Sequence, residues 1–401
     1  MAELTPVGAR ERVVSLDVLR GLALCGVLMG NLLWLYTLRF ATPHDDSSAV
    51  DTIARVGFGL VVEQKAMMLL TLLFGFGFAN ILVRAKERGE RGTGVFVRRL
   101  AVLFVLGWCH IALVWWGDIT WAYAIGGFGL LLFRRVSNIV RLVVGLVLTI
   151  VPFTVWIALD GGRIGQLFLS QADWIRHMNG LIAAAQHGDY LDTVHAHLVF
   201  ALVWQAPMWI QFYPSLVGRF LLGYVAGAQR WFERDGADHL VLFRRLAIGG
   251  LAIGVPCALL TVSMPPHFDL VGMLGYELRR IPFSLLYTLQ HLALAAAYVG
   301  IVVLLVQRPR WRRVLAIIAP AGRMPLTTYV LQSVFATALF YTRGLGLGLD
   351  PPGAAGCLGI ALAIFAGEVA IAHVWLRYFR FGPLEWLWRS LVYMKRQPMR
   401  V

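Results

Sequence analysis

His110 and Asp118 stand eight residues apart in the run HIALVWWGD. An imidazole with a carboxylate in reach is a stronger proton acceptor near neutral pH. Gly117 lets the intervening chain turn sharply, so the two side chains can meet across a tight connection. His110 is thus a candidate general base, with Asp118 as the group that orients it. Trp115, Trp116, Trp121 and Tyr123 lie around the pair and suit an aromatic-lined mouth, although an interfacial aromatic belt accounts for the tryptophans equally well.

A second set occupies SLDVLRGLALCGVLMGN, residues 15 to 31. At about 100° per residue, Arg20 lies roughly 60° round a helix from Asp17, and Asn31 returns to within about 20° of Arg20. The three share one stripe, on which Asp17 and Arg20 can neutralise each other and Asn31 sits about 20 Å further along. A charge facing lipid costs at least about 2.5 kcal/mol, so the stripe faces protein or a polar cavity. A structural ion pair plus one interhelical amide is the competing explanation.

Further along, Glu63 and Lys65 are two residues apart, about 160° round a helix, and either can reach that stripe. Arg323, Thr327, Thr328, Tyr329, Gln332 and Ser333 are too polar for a lipid face and fit either a cavity open to the cytoplasm or interhelical hydrogen bonding. Glu385 and Arg389, four apart, read as a helical ion pair beside an interfacial WLW segment. Glu368 and His373 are weaker candidates. Gly75 and Gly77 suit close helix approach and are not a nucleotide loop. Cys25, Cys109, Cys257 and Cys357 fall singly within apolar runs, with neither a disulfide framework nor a metal-ligand spacing.

The elements that must hold these residues follow from composition. Of 401 residues, 59% are hydrophobic and 14% charged, more apolar surface than one soluble core could bury. Continuous runs such as LVVGLVLTIVPFTVWIAL indicate helices, since barrel strands would alternate. The expected fold is therefore an all-α polytopic transmembrane bundle forming a single domain over 1–401. Ten spans are read near residues 16 to 38, 60 to 83, 97 to 116, 119 to 133, 142 to 159, 200 to 229, 246 to 264, 281 to 306, 314 to 341 and 356 to 376. The sixth, carrying Pro207 and Pro214, is open to reading as a bent helix, a re-entrant piece with a span, or two short spans. Residues 160 to 197 form a long polar outer-side connection with an interfacial helix.

Basic residues give the orientation, because cytoplasmic connections carry the excess of Lys and Arg. Arg10 and Arg12, the cluster from Arg84 to Arg99, Arg134, Arg135 and Arg141, the group from Arg230 to Arg245, the group from Arg308 to Arg313 and the tail near 377–401 all fall on alternate connections. Both termini are then cytoplasmic. The net charge of +14 reads as a topology signal and as contact with lipid headgroups rather than nucleic acid. The N-terminal run is too long and too charged for a cleaved signal.

The pattern LDVLRGLALCGVLMGN closely resembles the first-span signature of YeiB-type membrane proteins, a family defined by a domain of unknown function. LLTLLFGFG at 69 to 77, RRLAVLFVLGWCHIALVWWGDITWAYAIGG at 98 to 127, GRMPLTTYVLQS at 322 to 333 and GPLEWLWRS at 382 to 390 follow in family order. The first signature is also similar to two groups of transmembrane acyltransferases. In the acyltransferase-3 group a functional His occupies the position held here by Asn31. In heparan-alpha-glucosaminide acetyltransferases that position is Asn and a catalytic His follows about a dozen residues later, for which His44 in ATPHDDSS is the nearest match. A solvated loop histidine beside Asp45 and Asp46 is the alternative for His44.

The resemblance implies transfer of an acyl or acetyl group from cytoplasmic acyl-CoA to a hydroxyl or amine of a small-molecule, sugar or lipid acceptor. His44 or His110 would be the base, with Asn31 and Asp118 completing the catalytic set. Asp17, Arg20, Glu63, Lys65, Trp116, Tyr123, Arg323, Thr327 and Gln332 would line the substrate path, Arg323 reaching a phosphate of the donor. No bound cofactor or metal is expected, with acetyl-CoA as co-substrate. The expected setting is the plasma or inner membrane, the partners are the lipid bilayer and the acceptor, and a homodimer is allowed. A transporter for a small solute is the alternative, although no second copy of the LDVLRG pattern marks the half-chain repeat common in transporters. A membrane scaffold is the third.

Overall fold

Backbone groups have no water to bond in hydrocarbon, so apolar stretches must satisfy them internally as helices. The computed structural model describes residues 13–37, 48–87, 89, 92–158, 170–263, 280–348 and 350–401. Apart from one antiparallel bridge between Phe379 and Arg400, these residues form helices and their connections. Among the described residues, six helices are long and apolar enough to cross a membrane: Val14–Tyr36, Ala49–Glu87, Gly92–Leu113, Glu233–Ser263, Ile281–Val306 and Ala354–Tyr378. They coincide with the first, second, third, seventh, eighth and tenth expected spans. Thr120–Leu132, Asn138–Pro152 and Pro325–Phe340 are shorter apolar helices at the fourth, fifth and ninth.

In chain order the helices are α1 (Val14–Gly30), α2 (Ala49–Val61), α3 (Lys65–Glu87), α4 (Gly92–Leu113), α5 (Thr120–Leu132), α6 (Asn138–Ala158), α7 (Gln171–Gln186) and α8 (Tyr190–Phe200). They continue as α9 (Ala206–Ala228), α10 (Leu240–Ser263), α11 (Arg280–Val306), α12 (Pro309–Leu315), α13 (Ala319–Arg323), α14 (Pro325–Phe340), α15 (Ala354–Tyr378) and α16 (Pro383–Val392). A π-helical turn over Asn31–Tyr36 extends α1, and another over Ala201–Gln205 joins α8 to α9. The uncertain sixth span is thus a helix entered from α8. Pro207 follows directly on the π turn that joins the two helices, and Pro214 lies inside α9.

Three sequence expectations change. The run expected as one span from 60 to 83 divides at Gln64, whose φ of 59° is left-handed. Before it lies α2, with only Phe58 buried; after it runs α3. Glu63 and Lys65 therefore occupy a turn, with Lys65 N donating to the Glu63 carbonyl at 2.7 Å, and the helical angle between them does not apply. The ninth run breaks into α12, α13 and α14, with a proline in the first turn of each. Among its described residues, the 160 to 197 connection contains two helices. Ser170 caps α7 through Asp173 N at 3.1 Å, and Asp189 with Asp192 forms a capping box on α8.

Close packing depends on backbone meeting backbone. A Cβ at Gly75 of α3 would overlap the Phe220 carbonyl of α9, and one at Gly223 of α9 would overlap the Leu72 carbonyl of α3. The two helices therefore approach reciprocally at small residues. Gly77, also expected to serve this way, has nothing within 4 Å of its Cβ position. Phe74, Tyr123 and Phe220 then stack beside the crossing, with ring centroids 4.5 Å to 5.5 Å apart.

Helix ends are closed by distant side chains. Arg141 donates to the Phe133 and Arg134 carbonyls at 3.0 Å each, covering the end of α5. Asp235 accepts from Ser15 N and from Arg312, both at 3.0 Å, tying the start of α1 to α12. Glu385 does not serve the expected ion pair with Arg389. Its carboxylate caps α14 instead, accepting from Leu326 N at 2.6 Å, Thr327 N at 3.0 Å and Thr327 Oγ1 at 2.6 Å. Arg389 lies over the Phe381 ring at 4.5 Å.

Gly223→Val is expected to lower the melting temperature in detergent, because a branched side chain has no room between α3 and α9; overpacking costs about 1–3 kcal/mol. A second prediction concerns Glu385, which lies outside the spans and whose pKa burial raises against the opposing pull of its Thr327 and Leu326 hydrogen bonds. A carboxyl raised in the fold holds more protons folded than unfolded. Its contribution to stability therefore falls as pH rises from about 4.3 through the folded value. Glu385→Gln should flatten that part of the curve in thermal unfolding across about pH 4 to 7.

Candidate functional site

The connection between α4 and α5 is short, and Gly117 makes it possible. The Trp115 ring folds back over Gly117 so closely that any Cβ there would overlap it. Asp118 is thereby carried back against the last turns of α4, where its Oδ2 lies 2.9 Å from His110 Nδ1. The other oxygen, Oδ1, accepts from Thr120 N at 2.7 Å, Thr120 Oγ1 at 2.8 Å and Trp121 N at 3.2 Å, at the start of α5. That placement also sets the carboxylate at the positive end of a helix dipole. Both side chains are buried, with relative exposures of 4% and 1%.

More of the bundle converges on this turn. The Asp118 carbonyl accepts from Trp121 Nε1 at 3.1 Å and from Gln205 Nε2, in the π turn before α9, at 2.9 Å. The Tyr329 hydroxyl of α14 receives Ile119 N at 3.3 Å, and the Tyr329 ring lies 5.4 Å from that of His110. His110 Nε2 is buried and has no hydrogen-bond partner among the described residues. The imidazole is thus held at one nitrogen and left with an uncommitted nitrogen at the other.

Beside the turn is a cleft of about 390 Å³, its open mouth included, lined by Tyr36, Trp115, Trp116, Phe340 and Tyr341 among others. Tyr36, from the π turn of α1, stacks on Trp115 at 4.4 Å. The expected aromatic mouth is therefore formed in part. Trp116 lines this cleft, whereas Trp121 packs against Ile111 and Ala201, and the Tyr123 hydroxyl meets Met67 Sδ at 3.2 Å.

The remaining sequence candidates divide into separate groups. Asp17 and Arg20 form their pair at 2.9 Å, next to α13, where Gly322 packs on the Asp17 carbonyl. Arg323 is the residue that follows. Thr327 is committed to the Glu385 cap. Gln332 donates to Glu368 at 3.1 Å and to the Leu24 carbonyl at 3.4 Å, a buried polar contact among α14, α15 and α1. Lys65 is almost fully buried, donating from Nζ to the Gly59 carbonyl at 2.6 Å, and Glu63 lies beside Trp34. Asn31 opens the π turn, partly exposed. His44 lies outside the described residues. Among the described residues no cluster of His, Cys, Asp and Glu suits a metal ion.

Sequence reasoning missed His197 and Gln205. His197 on α8 bridges the Ile111 carbonyl at 3.1 Å and the Tyr341 hydroxyl at 3.0 Å, joining α4 to the end of α14 next to the cleft. The signal available was a histidine and an amide flanking an apolar run, and it was masked by reading residues 160 to 197 as a surface connection.

These helices, with their enclosed imidazole–carboxylate pair and interhelical polar contacts, define a helical membrane protein. By sequence similarity the chain belongs to the YeiB-type family, whose model, described as "Protein of unknown function (DUF418)", matches residues 226–395. It is 32% identical to YxaH of Bacillus subtilis (strain 168), over 100% of this chain and 98% of that protein. It is 29% identical to YeiB of Escherichia coli (strain K12), over 95% and 96%. A 39.9 kDa protein encoded in the amylase 3' region of Bacillus acidopullulyticus is 28% identical over 99% and 98%.

Asp118→Ala should lower the melting temperature markedly, because it strands four donors in a buried turn at about 1–3 kcal/mol for an unmet group. Asp118→Asn, which retains an acceptor, should lose much less in the same measurement.

Proposed function

We propose that this protein is an integral-membrane acyltransferase in which His110 is the general base and Asp118 its positioning partner. The observation that supports this reading is the buried His110–Asp118 contact at 2.9 Å with Nε2 left uncommitted. With its Nδ1 proton donated to Asp118, the ring presents the Nε2 lone pair. Nε2 takes the proton from an acceptor hydroxyl or amine as that atom bonds to the thioester carbonyl. Collapse of the tetrahedral adduct breaks the carbon–sulfur bond, and the proton passes from Nε2 to the departing thiolate. The cleft lined by Tyr36, Trp115 and Trp116 lies beside this turn, and in this reading the acceptor passes from it to Nε2 when the aromatic wall moves.

Ten crossings with both termini cytoplasmic accompany this proposal. The six long apolar helices, the three shorter ones and α9 supply ten segments, and the arginine-rich connections supply the orientation. The setting is then the plasma or inner membrane, with acyl-CoA entering from the cytoplasm. Support for that entrance comes from Arg99, which lies close enough to both Arg20 and Arg389 to feel their charge. Three guanidinium groups in one place suit the phosphates of such a donor.

A solute transporter is the second reading, favoured by the Glu368–Gln332 contact. Glu368 is 1% exposed, and carboxyl groups inside a membrane mark ion or solute paths in many proteins.

The test is thiol release from acetyl-CoA by purified protein across a panel of hydroxyl and amine acceptors. His110→Ala is expected to reduce turnover by about 10²–10⁴-fold in protein that still elutes as folded, its melting temperature lowered by the unmet Asp118 oxygen. Intact wild-type protein that neither binds nor cleaves acetyl-CoA overturns the proposal. Solute flux into reconstituted vesicles without chemical change then favours transport.

A further inference from the structure

The bundle contains a second polar cavity that the acyl-transfer reading does not use. It lies between α3, α9 and α11, has a volume of about 260 Å³ with its mouth included, and is lined by Gln64, Met68, Arg219, Tyr287, Thr288 and His291. Arg219 is the fourteenth residue of the 23-residue α9, near the middle of an apolar helix. Its Nε is buried and has no hydrogen-bond partner among the described residues. The groups whose charge it feels are the phenols of Tyr123 and Tyr287, neither of which is a carboxylate.

A second cation stands at the same place. Lys65 is 1% exposed and close enough to His291 for its charge to act on the ring. The acid beside Lys65 is Glu63. Glu63 is thus the carboxylate beside Lys65, whereas the groups that act on Arg219 among the described residues are the two phenols. An uncompensated cation inside a membrane protein is costly, whereas one that meets an anion in a forked hydrogen-bonded contact is not. His291 donates from Nδ1 to the Tyr287 carbonyl, which leaves Nε2 as an acceptor, so the donors to an anion here are the two cations.

We infer that this cavity is an oxyanion-binding site in which Arg219 receives a carboxylate or phosphate group, with Lys65 supplying the surrounding positive potential. The guanidinium offers a planar fork matched to either group. The inference is independent of the acyl-transfer reading, since it uses none of the residues at the α4–α5 turn.

The experiment titrates full-length purified protein with sodium phosphate and sodium acetate at constant ionic strength, following the melting temperature. In a parallel arm, protein reconstituted with phosphatidylglycerol is compared with protein in phosphatidylcholine alone. A saturable rise with phosphate or acetate assigns a soluble anion, and a rise confined to phosphatidylglycerol assigns a lipid headgroup. Either rise should be lost or weakened by at least about tenfold in apparent affinity in Arg219→Gln, and partly kept in Arg219→Lys. If Arg219→Gln does not fold, Thr288→Leu, which fills the cavity without altering a charge, should weaken the response likewise. Absence of any anion response in the wild type, or a response unchanged in Arg219→Gln or in Thr288→Leu, overturns the inference.

Discussion

A polar group inside a hydrocarbon slab has only other protein groups to bond with, and the architecture of this chain is organised around that restriction. Asp118 shows it most fully. Both of its carboxylate oxygens and its carbonyl are occupied, by donors from α4, α5 and the π turn before α9. The α4–α5 turn is thus a polar core inside an apolar one, and the helices around it are located by the directions of its hydrogen bonds. Fixed dipoles of this kind need not reorganise when charge moves, which is what a proton-transfer site requires.

Outside the spans, too, the ends of two helices are met by the protein itself. Carbonyls and amides that water would satisfy in a soluble protein are met here by side chains far away in sequence. Glu385 covers the start of α14 across 58 residues, and Asp235 holds the start of α1 across 220. The C-terminal segment is therefore stitched to the body of the bundle. Trp388 donates to the Arg99 carbonyl at 3.2 Å while the Arg99 guanidinium lies over the same ring at 4.1 Å, so the tail also covers the base of α4.

How much of this was legible beforehand follows from the range of each interaction. Local relations read well: the Asp17–Arg20 pair, the closeness of His110 to Asp118 and the role of Gly75 as a contact point all follow from spacing along one helix or one turn. Helix boundaries read less well, because a left-handed residue such as Gln64 leaves no mark in hydropathy, and α2 merges with α3 in any average. Partnerships across the bundle were not readable. Nothing in the spacing of Glu385 and Arg389 shows that the carboxylate has a better offer from the unpaired amides of α14. Gln332 reads as one of a polar set on the ninth run and Glu368 as a residue near His373, and the two bond to each other.

The π turn at Asn31–Tyr36 carries a consequence for the first helix. A wider turn holds an extra residue, so side chains beyond it are displaced round the axis by about 100° from where an unbroken α-helix would set them. The stripe that runs from Asp17 through Arg20 ends where Asn31 begins the turn, and the helix then presents a different face. One rod thus behaves as two half-rods with a phase offset. The first keeps its polar edge beside α13, and the second brings Tyr36 flat against Trp115. Insertion or deletion of one residue anywhere between Asn31 and Tyr36 would turn the aromatic wall of the cleft while leaving the ion pair below it untouched.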